Sequence, residues 1–159
     1  MIQSLVYIVL FGCLCILPAK ANDKIIMGTL VVVNKKDDTV SFIDLQSRKI
    51  KFTRDTGKGP HELTMSADGR LAVVTNYTGG NSLTVFDVKQ ASKIKTIDLS
   101  RYSRPHGVMF LKDQTSVAVS SEGSDSVVIV DIISGQIKKV IDTQQKGSHM
   151  VALPESSER

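Results

Sequence analysis

The chain has 159 residues, a formal net charge of +4, 5% aromatic residues, no tryptophan and two cysteines. This length is typical of one domain. The positive charges are dispersed along the chain instead of being collected, with aromatic side chains, into one stripe, so we expect no nucleic-acid partner.

The first 21 residues have the composition of a secretory signal peptide. An apolar run from Leu5 to Leu17 precedes Pro18, and Ala19-Lys20-Ala21 has the small-residue spacing of a cleavage site. The run is shorter than the about 20 residues that a membrane helix needs. We therefore expect cleavage after Ala21, no membrane span in the mature chain, and a periplasmic or extracellular location. An uncleaved membrane anchor is the alternative.

Both cysteines, Cys13 and Cys15, belong to this segment. A lipidated Cys13 fits poorly, because apolar residues continue beyond it. The mature chain would contain no cysteine, which excludes disulfides, zinc–thiolate sites and a cysteine nucleophile.

The rest of the chain contains landmarks at even intervals. Histidines lie in Gly59-Pro60-His61, Arg104-Pro105-His106 and Gly147-Ser148-His149. Apolar runs end at Asp44, Asp87 and Asp131, and a third set consists of Val33-Asn34, Thr75-Asn76 and Ser120-Ser121. Three sets in one phase, with a period of about 43–45 residues, indicate tandem structural units.

One unit contains four short apolar segments. They are strand A at Leu63 to Ser66, strand B at Leu71 to Asn76, strand C at Leu83 to Asp87 and strand D at Ile94 to Leu99. Turn residues such as Asp68-Gly69 separate them. Four hairpin-connected strands in a unit of this length are typical of a propeller blade. The runs Leu30–Val33 and Val127–Val130 lack polar alternation, which predicts strands buried on both faces.

We therefore predict an all-β fold, a β-propeller fragment of about three four-stranded blades from a longer ring, expected to have seven blades. The signal peptide takes residues 1–21 and the partial propeller residues 22–159. Strands B to D of the first blade occupy 25–54, as Ile25 to Val33, Thr39 to Asp44 and Lys49 to Thr53. The second and third blades occupy 61–99 and 106–142. A fourth begins at 149–159, with a strand A at His149 to Leu153 that brings the total to twelve strands.

Three blades do not close a ring, since propellers typically have four to eight. The missing blades would come from the rest of a longer chain, which we favour, or from self-association of copies.

The repeat resembles that of the YVTN-type β-propellers. The resemblance rests on Pro60 to Asn76, which contains Ser66-Ala67-Asp68-Gly69 and Val73-Val74-Thr75-Asn76, and on Asn81-Ser82-Leu83-Thr84-Val85-Phe86-Asp87. It extends over nearly all of residues 25–153. The third unit departs from it, with Lys112-Asp113-Gln114 in place of Asp-Gly and Ser120-Ser121-Glu122 in place of Thr-Asn-Tyr.

The broad superfamily that this resemblance implies includes haem d1-binding propellers of nitrite reductase, the copper-binding propeller of nitrous oxide reductase and lactonase-like propellers. Metal or haem binding is therefore suggested for this chain only by analogy with these relatives, and the sequence itself requires no cofactor. A fold of this kind does not specify a function, which must be argued from the site.

His61, His106 and His149 are the candidate ligand or metal residues. Each lies at the start of strand A, the innermost strand, so the three imidazoles should point toward one end of the central channel. Neutral imidazoles there could bind a metal, contact an anionic ligand or act as acid and base. The alternative is that each simply bonds the backbone of the neighbouring blade. Glu62 and Glu122 are secondary candidates, and Asp44, Asp87 and Asp131 are expected to accept backbone N–H groups in turns.

Three functions remain open at this point. The first is an exported binding or scaffold propeller that holds a small ligand, metal or protein partner at the channel mouth. The second is a propeller enzyme of lactonase, lyase or redox type that uses the histidines. The third is a structural interaction domain of a surface protein. The sequence favours binding over catalysis and identifies neither ligand nor substrate.

Overall fold

A computed structural model of the protein describes residues 26–154. The predicted signal peptide, both cysteines, Ile25 and residues 155–159 lie outside the described residues. No helix in the described part is long and apolar enough to cross a membrane.

The described residues form an all-β fold of eleven strands in three antiparallel sheets. The first sheet has the order β1 (Thr29–Asn34), β2 (Thr39–Asp44), β3 (Lys49–Asp55). The second is β4 (Pro60–Met65), β5 (Leu71–Asn76), β6 (Ser82–Asp87), β7 (Ser92–Asp98). The third is β8 (Pro105–Phe110), β9 (Ser116–Ser121), β10 (Ser126–Asp131), β11 (Ile137–Asp142). A single 3₁₀ turn, Glu122–Ser124, follows β9.

The strands follow the predicted plan, in which a three-stranded unit is followed along the chain by two four-stranded units. The largest differences in their bounds are at strand B of the first unit, which was predicted from Ile25 and begins at Thr29, and at strand A of the second unit, which was predicted from Leu63 and begins at Pro60. The first residues of this strand pair irregularly with β5, since the register shifts between Pro60 and Leu63. Their sequence does not alternate between apolar and polar side chains, the pattern by which regular strands are recognised, so it did not indicate that these residues belong to the strand.

The predicted twelfth strand at His149 to Leu153 is wrong within the described residues. Residues 148–154 have no strand assignment, although the carbonyl of His149 accepts the N–H of Gly107 at 3.1 Å. A strand needs a ladder of hydrogen bonds, and one such bond does not make a ladder. The segment still packs closely on β8, because a Cβ on Gly107 would lie 3.0 Å from Met150 Cα.

The three predicted turn aspartates lie at the same end of their sheets and accept backbone N–H groups. Asp44 accepts from Ser47 at 2.6 Å and Asp87 from Gln90 at 2.8 Å. Asp131 accepts from Ile133 at 3.0 Å and from Ser134 at 2.8 Å. Such side chain to backbone bonds stabilise the tight turn between two strands.

Apolar side chains between successive sheets form two cores. The first joins the first and second sheets and consists of Val31, Val40, Phe42, Ala72, Val74, Phe86, Val88 and Ala91. The second joins the second and third sheets and includes Val73, Leu83, Val85, Val119, Val128 and Ile132. The middle sheet is therefore covered on both faces, which explains why β5 and β6 are apolar without alternation.

The outer sheets differ from the prediction, because they are buried on one face only. Leu30 is 46% exposed, and in β10 buried and half-buried residues alternate from Val127 to Val130. Ile50 on the first sheet and Ile141 on the third also lie in the open. Within residues 26–154 no further sheet covers these two faces.

Candidate functional site

The three histidines of the landmark motif lie against one another. The ring centroids of His61 and His106 are 4.2 Å apart, and those of His106 and His149 are 3.7 Å apart. The rings are tilted by 48° and 35°. One imidazole from each of three successive segments thus contributes to a single stack.

A bulge at the start of strand A directs two of these side chains. The register between β4 and β5 shifts between Pro60 and Leu63, and that between β8 and β9 shifts between Pro105 and Val108. The histidine and the residue after it lie inside each shift. Bulges twist a strand locally and re-aim a side chain, which is why they are common beside functional sites.

A hydroxyl from strand B connects each bulge to the next histidine. Thr75 Oγ1 accepts the N–H of Glu62 at 3.1 Å and donates to the carbonyl of His106 at 2.9 Å. Ser120 Oγ accepts the N–H of Gly107 at 2.8 Å and donates to the carbonyl of His149. The main chain of each of these two histidines is therefore anchored by the sheet before it.

A polar residue in the left-handed conformation provides a second anchor. Asp38, Asn81 and Asp125 have φ angles of 55°, 39° and 50°. Each accepts the N–H of the residue two positions before a histidine: Asp38 from Gly59 at 2.8 Å, Asn81 from Arg104 at 2.9 Å and Asp125 from Gly147 at 2.9 Å. Aspartate and asparagine tolerate this conformation better than other residues with a Cβ. The sequence analysis missed these anchors.

The imidazole of His106, in the middle of the stack, is buried, with 4% of the residue exposed. Its Nδ1 has no hydrogen-bond partner, and neither has the buried Nδ1 of His61. Burial and then the neighbouring His61 and His149 lower the pKa of His106, against a smaller opposing effect of Glu62 and Glu122. This imidazole is therefore neutral at neutral pH.

We expect the stability of the protein to fall between pH 7 and pH 5 through His106. Its pKa in the folded state is depressed below the about 6.5 of an unfolded chain, so the unfolded state takes up the proton first. The contribution is complete above the unfolded pKa and is lost as pH falls through that window. Denaturant midpoints at pH 7.0 and 5.5 measure the loss.

The variant His106→Leu isolates this contribution. It should show a smaller drop between the two pH values than the wild type. Glu122 also has a lowered pKa, caused first by the Tyr77 hydroxyl, but its contribution is lost only below the ordinary glutamate value of 4.5. An equal drop in wild type and variant would contradict the assignment to His106.

Glu62 adds a carboxylate beside the stack. Its Oε1 lies 3.4 Å from His61 Nδ1, close enough for electrostatic attraction to a protonated ring but without the geometry of a hydrogen bond. One ligand atom from each of His61, Glu62 and His106 lies within 4.8 Å of the other two. These three residues could hold a metal ion.

A second set of side chains surrounds the stack and was not predicted as a group. Lys35, Tyr77 and Glu122 each follow the last residue of a strand B, at Asn34, Asn76 and Ser121. Lys35 Nζ lies 5.4 Å from the centre of the Tyr77 ring, and the Tyr77 hydroxyl donates to the Glu122 carboxylate. All three residues directly follow the repeated landmark at the end of a strand B, and this shared position is the sequence signal that could have grouped them.

Tyr77 and Arg104 connect this outer set to the histidines. The Tyr77 ring lies edge-on to His61 at 5.1 Å and to His106 at 5.2 Å. Arg104 lies with its Cζ 4.9 Å from the Tyr77 ring centre, donates to the Tyr77 hydroxyl and forms an ion pair of 3.2 Å with Glu122. Of the secondary candidates, Glu62 thus contacts the stack directly and Glu122 through Tyr77.

The aspartate landmarks lie away from this cluster. Pro60, next to His61, pairs with Asn76 at one end of the second sheet, whereas Asp87 pairs with Leu71 at the other end. The structure therefore separates the predicted turn residues from the predicted ligand residues.

Comparison with known proteins agrees with this architecture. The chain is similar to Kuenenia stuttgartiensis hydrazine synthase, with 22% identity and a TM-score of 0.70 over 77% of this chain and 34% of that one. It is also similar to the dihydro-heme d1 dehydrogenase NirN in complex with DHE, with 18% identity and a TM-score of 0.65 over 76% of this chain and 26% of that one. At these identities the likeness concerns the fold alone.

No curated protein matches the chain. A sequence family described as "Lactonase, 7-bladed beta-propeller" matches residues 27–153, which is most of the chain. With its three sheets and this match, the chain belongs to the seven-bladed β-propeller lactonase family.

Proposed function

We propose that this propeller is a binding protein that holds a divalent transition-metal ion, of the Zn²⁺ or Cu²⁺ type, at its channel mouth. His61, His106 and Glu62 are the proposed ligands. The observation that carries the proposal is the pair of buried Nδ1 atoms, on His61 and His106, that have no hydrogen-bond partner. Buried polar atoms in proteins are nearly always paired, so an unpaired one requires an explanation such as an ion.

The donor set suits such an ion. Imidazole nitrogen and carboxylate oxygen are ligands of zinc and copper, and the imidazole must be neutral to bind. The lowered pKa of His106 supports this condition. Zinc–nitrogen bonds of about 2.0–2.1 Å place two ligand atoms about 3–4 Å apart. The ligand atoms of the three residues lie within 4.8 Å of one another, so binding of an ion would draw these side chains closer together.

The alternative structural role for the histidines has less support. It expects each imidazole to bond the backbone of the neighbouring blade. The contact between sheets instead uses the main-chain carbonyls of His106 and His149, which accept from Thr75 and Ser120. The buried Nδ1 atoms take no part in it.

Zinc titration by calorimetry tests the proposal. We expect one Zn²⁺ per chain, and loss of a ligand in His61→Ala or His106→Ala should weaken binding by about 100-fold, because one metal–imidazole bond disappears. The control is Asp55→Asn, which removes an exposed carboxylate from a cleft lined by Asp37 and Asp38 and should leave zinc binding unchanged. Equal zinc affinity in the wild type and both histidine variants would refute the proposal.

Lactone hydrolysis is a second candidate, suggested by the family description and by the neutral imidazole of His106. A neutral imidazole can act as a general base toward water. Base consumption with glucono-δ-lactone as the probe, measured with and without added Zn²⁺, distinguishes the candidates. Turnover that needs His106 but no zinc would favour the enzyme.

The location and the complete assembly are also part of the proposal. The predicted signal peptide would export the site to the periplasm or beyond. The apolar faces left open by the first and third sheets would be covered by further blades, from the rest of a longer chain or from other copies. If the protein acts instead as a scaffold for a protein partner, or as an interaction domain at the cell surface, the same ring of blades would provide the binding surface.

A further inference from the structure

We propose that Arg104 is a positioning residue, which acts through Tyr77 to hold the imidazoles of His61 and His106 in place for a ligand. The inference deepens the proposed metal site and rests on it for the identity of that ligand. It assigns a role to a side chain that touches neither proposed metal nor imidazole, and it predicts effects that can be measured without metal.

The backbone of Arg104 is the first observation. Its φ angle is +59°, in the left-handed region, and it directly precedes Pro105-His106. The equivalent positions before the other two histidines are Gly59, at +57°, and Gly147, at +73°. Glycine adopts this conformation without the steric penalty that a Cβ brings. Arg104 is therefore the one of these three equivalent positions that carries a side chain, and the contacts of that side chain decide its role.

The space around Arg104 is the second observation. In the second sheet a Cβ on Gly59 would lie 2.6 Å from the Cβ of Thr78, so no larger residue fits there. In the third sheet the residue equivalent to Thr78 is Gly123, and a Cβ on it would lie 2.3 Å from Ser103 Oγ and 3.4 Å from Arg104 Cδ. Glycine thus occupies the other position of the pair in the third sheet, where it leaves space first for Ser103 and then for the Arg104 side chain.

The contacts of the guanidinium are the third observation. It donates to the Tyr77 hydroxyl and pairs with Glu122 at 3.2 Å, and Tyr77 also donates to Glu122. The Arg104 side chain is 54% exposed, and exposed ion pairs contribute little to folding stability. The closed network of three side chains therefore does more to fix the Tyr77 ring than to stabilise the fold.

The Tyr77 ring transmits this restraint to the histidines. It meets His61 at an interplanar angle of 61° and His106 at 85°, with its centre 5.1 and 5.2 Å from theirs. An aromatic edge packed against two imidazoles limits their rotation about χ2, a torsion that is otherwise broad. Restrained ligands bind more tightly, because less freedom is lost on binding.

The variant Arg104→Gly tests the inference, since glycine is the residue at both equivalent positions. In the metal-free protein we expect the imidazole ¹H and ¹⁵N resonances of His61 and His106 to shift and broaden, while the unfolding midpoint stays the same or rises. Zinc affinity should fall about tenfold. Arg104→Lys, which keeps a cation there, should restore part of the zinc affinity.

The matched control is Arg48→Gly. Arg48 also has a left-handed backbone, with φ of +57°, but lies in the turn beside Asp44, at the other end of the first sheet. This control should leave the histidine resonances and zinc affinity unchanged. Unchanged resonances and affinity in Arg104→Gly would overturn the inference.

Two further outcomes have defined meanings. If Arg104→Gly does not fold, Tyr77→Phe makes the same test, because it keeps the ring and removes the hydroxyl that Arg104 and Glu122 hold. Wild-type resonances in Tyr77→Phe would then overturn the inference. If the wild type binds no Zn²⁺, the proposed metal function fails, while the metal-free resonances still decide whether Arg104 positions the imidazoles.

Discussion

Replacing Phe86 by alanine should lower the free energy of unfolding by about 3–5 kcal/mol, the largest stability effect we expect for a single substitution in this chain. Phe86 is fully buried between the first and second sheets, and its ring packs edge-on against Phe42 with a centroid distance of 5.8 Å. Truncation removes the apolar contacts of a whole ring and leaves a cavity that two hydrogen-bonded sheets cannot close. Urea or guanidinium denaturation measures the change.

The control for this prediction is Phe52→Ala. Phe52 lies on β3, the outer strand of the first sheet, where it pairs with Phe42 but is 45% exposed, and its ring centre lies 4.8 Å from Arg54 Cζ. Its truncation should cost about 1 kcal/mol, since only part of the ring leaves water on folding. Similar losses for the two variants would contradict the prediction.

The sequence was sufficient to predict most of the architecture because the signals involved are local. Strand B of the second unit, Leu71–Asn76, was predicted with the bounds that the structure has, since Asp-Gly precedes it and Thr-Gly-Gly-Asn follows it. The all-β propeller fold is confirmed by the three sheets and the family match. The meeting of the three histidines likewise follows from a regular interval combined with a radial arrangement of sheets.

What the sequence could not provide depends on contacts between units. The left-handed backbone of Arg104 has no local signal, because arginine is not a residue that favours positive φ. Tyr77 has no distinguishing local signal, and only the proximity of the next sheet brings its hydroxyl to Glu122. Burial on both faces was overestimated for Leu30–Val33, since an apolar run does not reveal whether a neighbour is present to cover it.

The site combines the regular repeat with contacts that are particular to one unit. The regular interval brings one imidazole per unit into a single stack, and the anchors at Thr75 and Asn81 repeat with that interval. Two departures from the repeat, Arg104 and Gly123, lie next to each other beside His106, the most buried of the three histidines. A fold of this kind is general, so what distinguishes this site must come from such particular residues.

Replacing Thr75 by valine should lower the free energy of unfolding by about 2 kcal/mol or more and weaken zinc binding with it. The substitution keeps the shape of the side chain but removes a buried hydroxyl that accepts from the Glu62 N–H and donates to the His106 carbonyl. Each buried backbone group left without a partner costs about 1–3 kcal/mol. The same hydroxyl anchors the bulge that directs His61 and the main chain of His106, so both effects have one cause.

The control is Thr53→Val, at an exposed position in β3, which should change stability by less than about 0.5 kcal/mol. Denaturation and zinc calorimetry on the two variants separate the anchor from a general effect of losing a threonine. If Thr75→Val were as stable as the wild type and bound zinc as tightly, the hydroxyl would not be the link between neighbouring sheets. The imidazoles would then have to be held by their side-chain packing on Tyr77 alone.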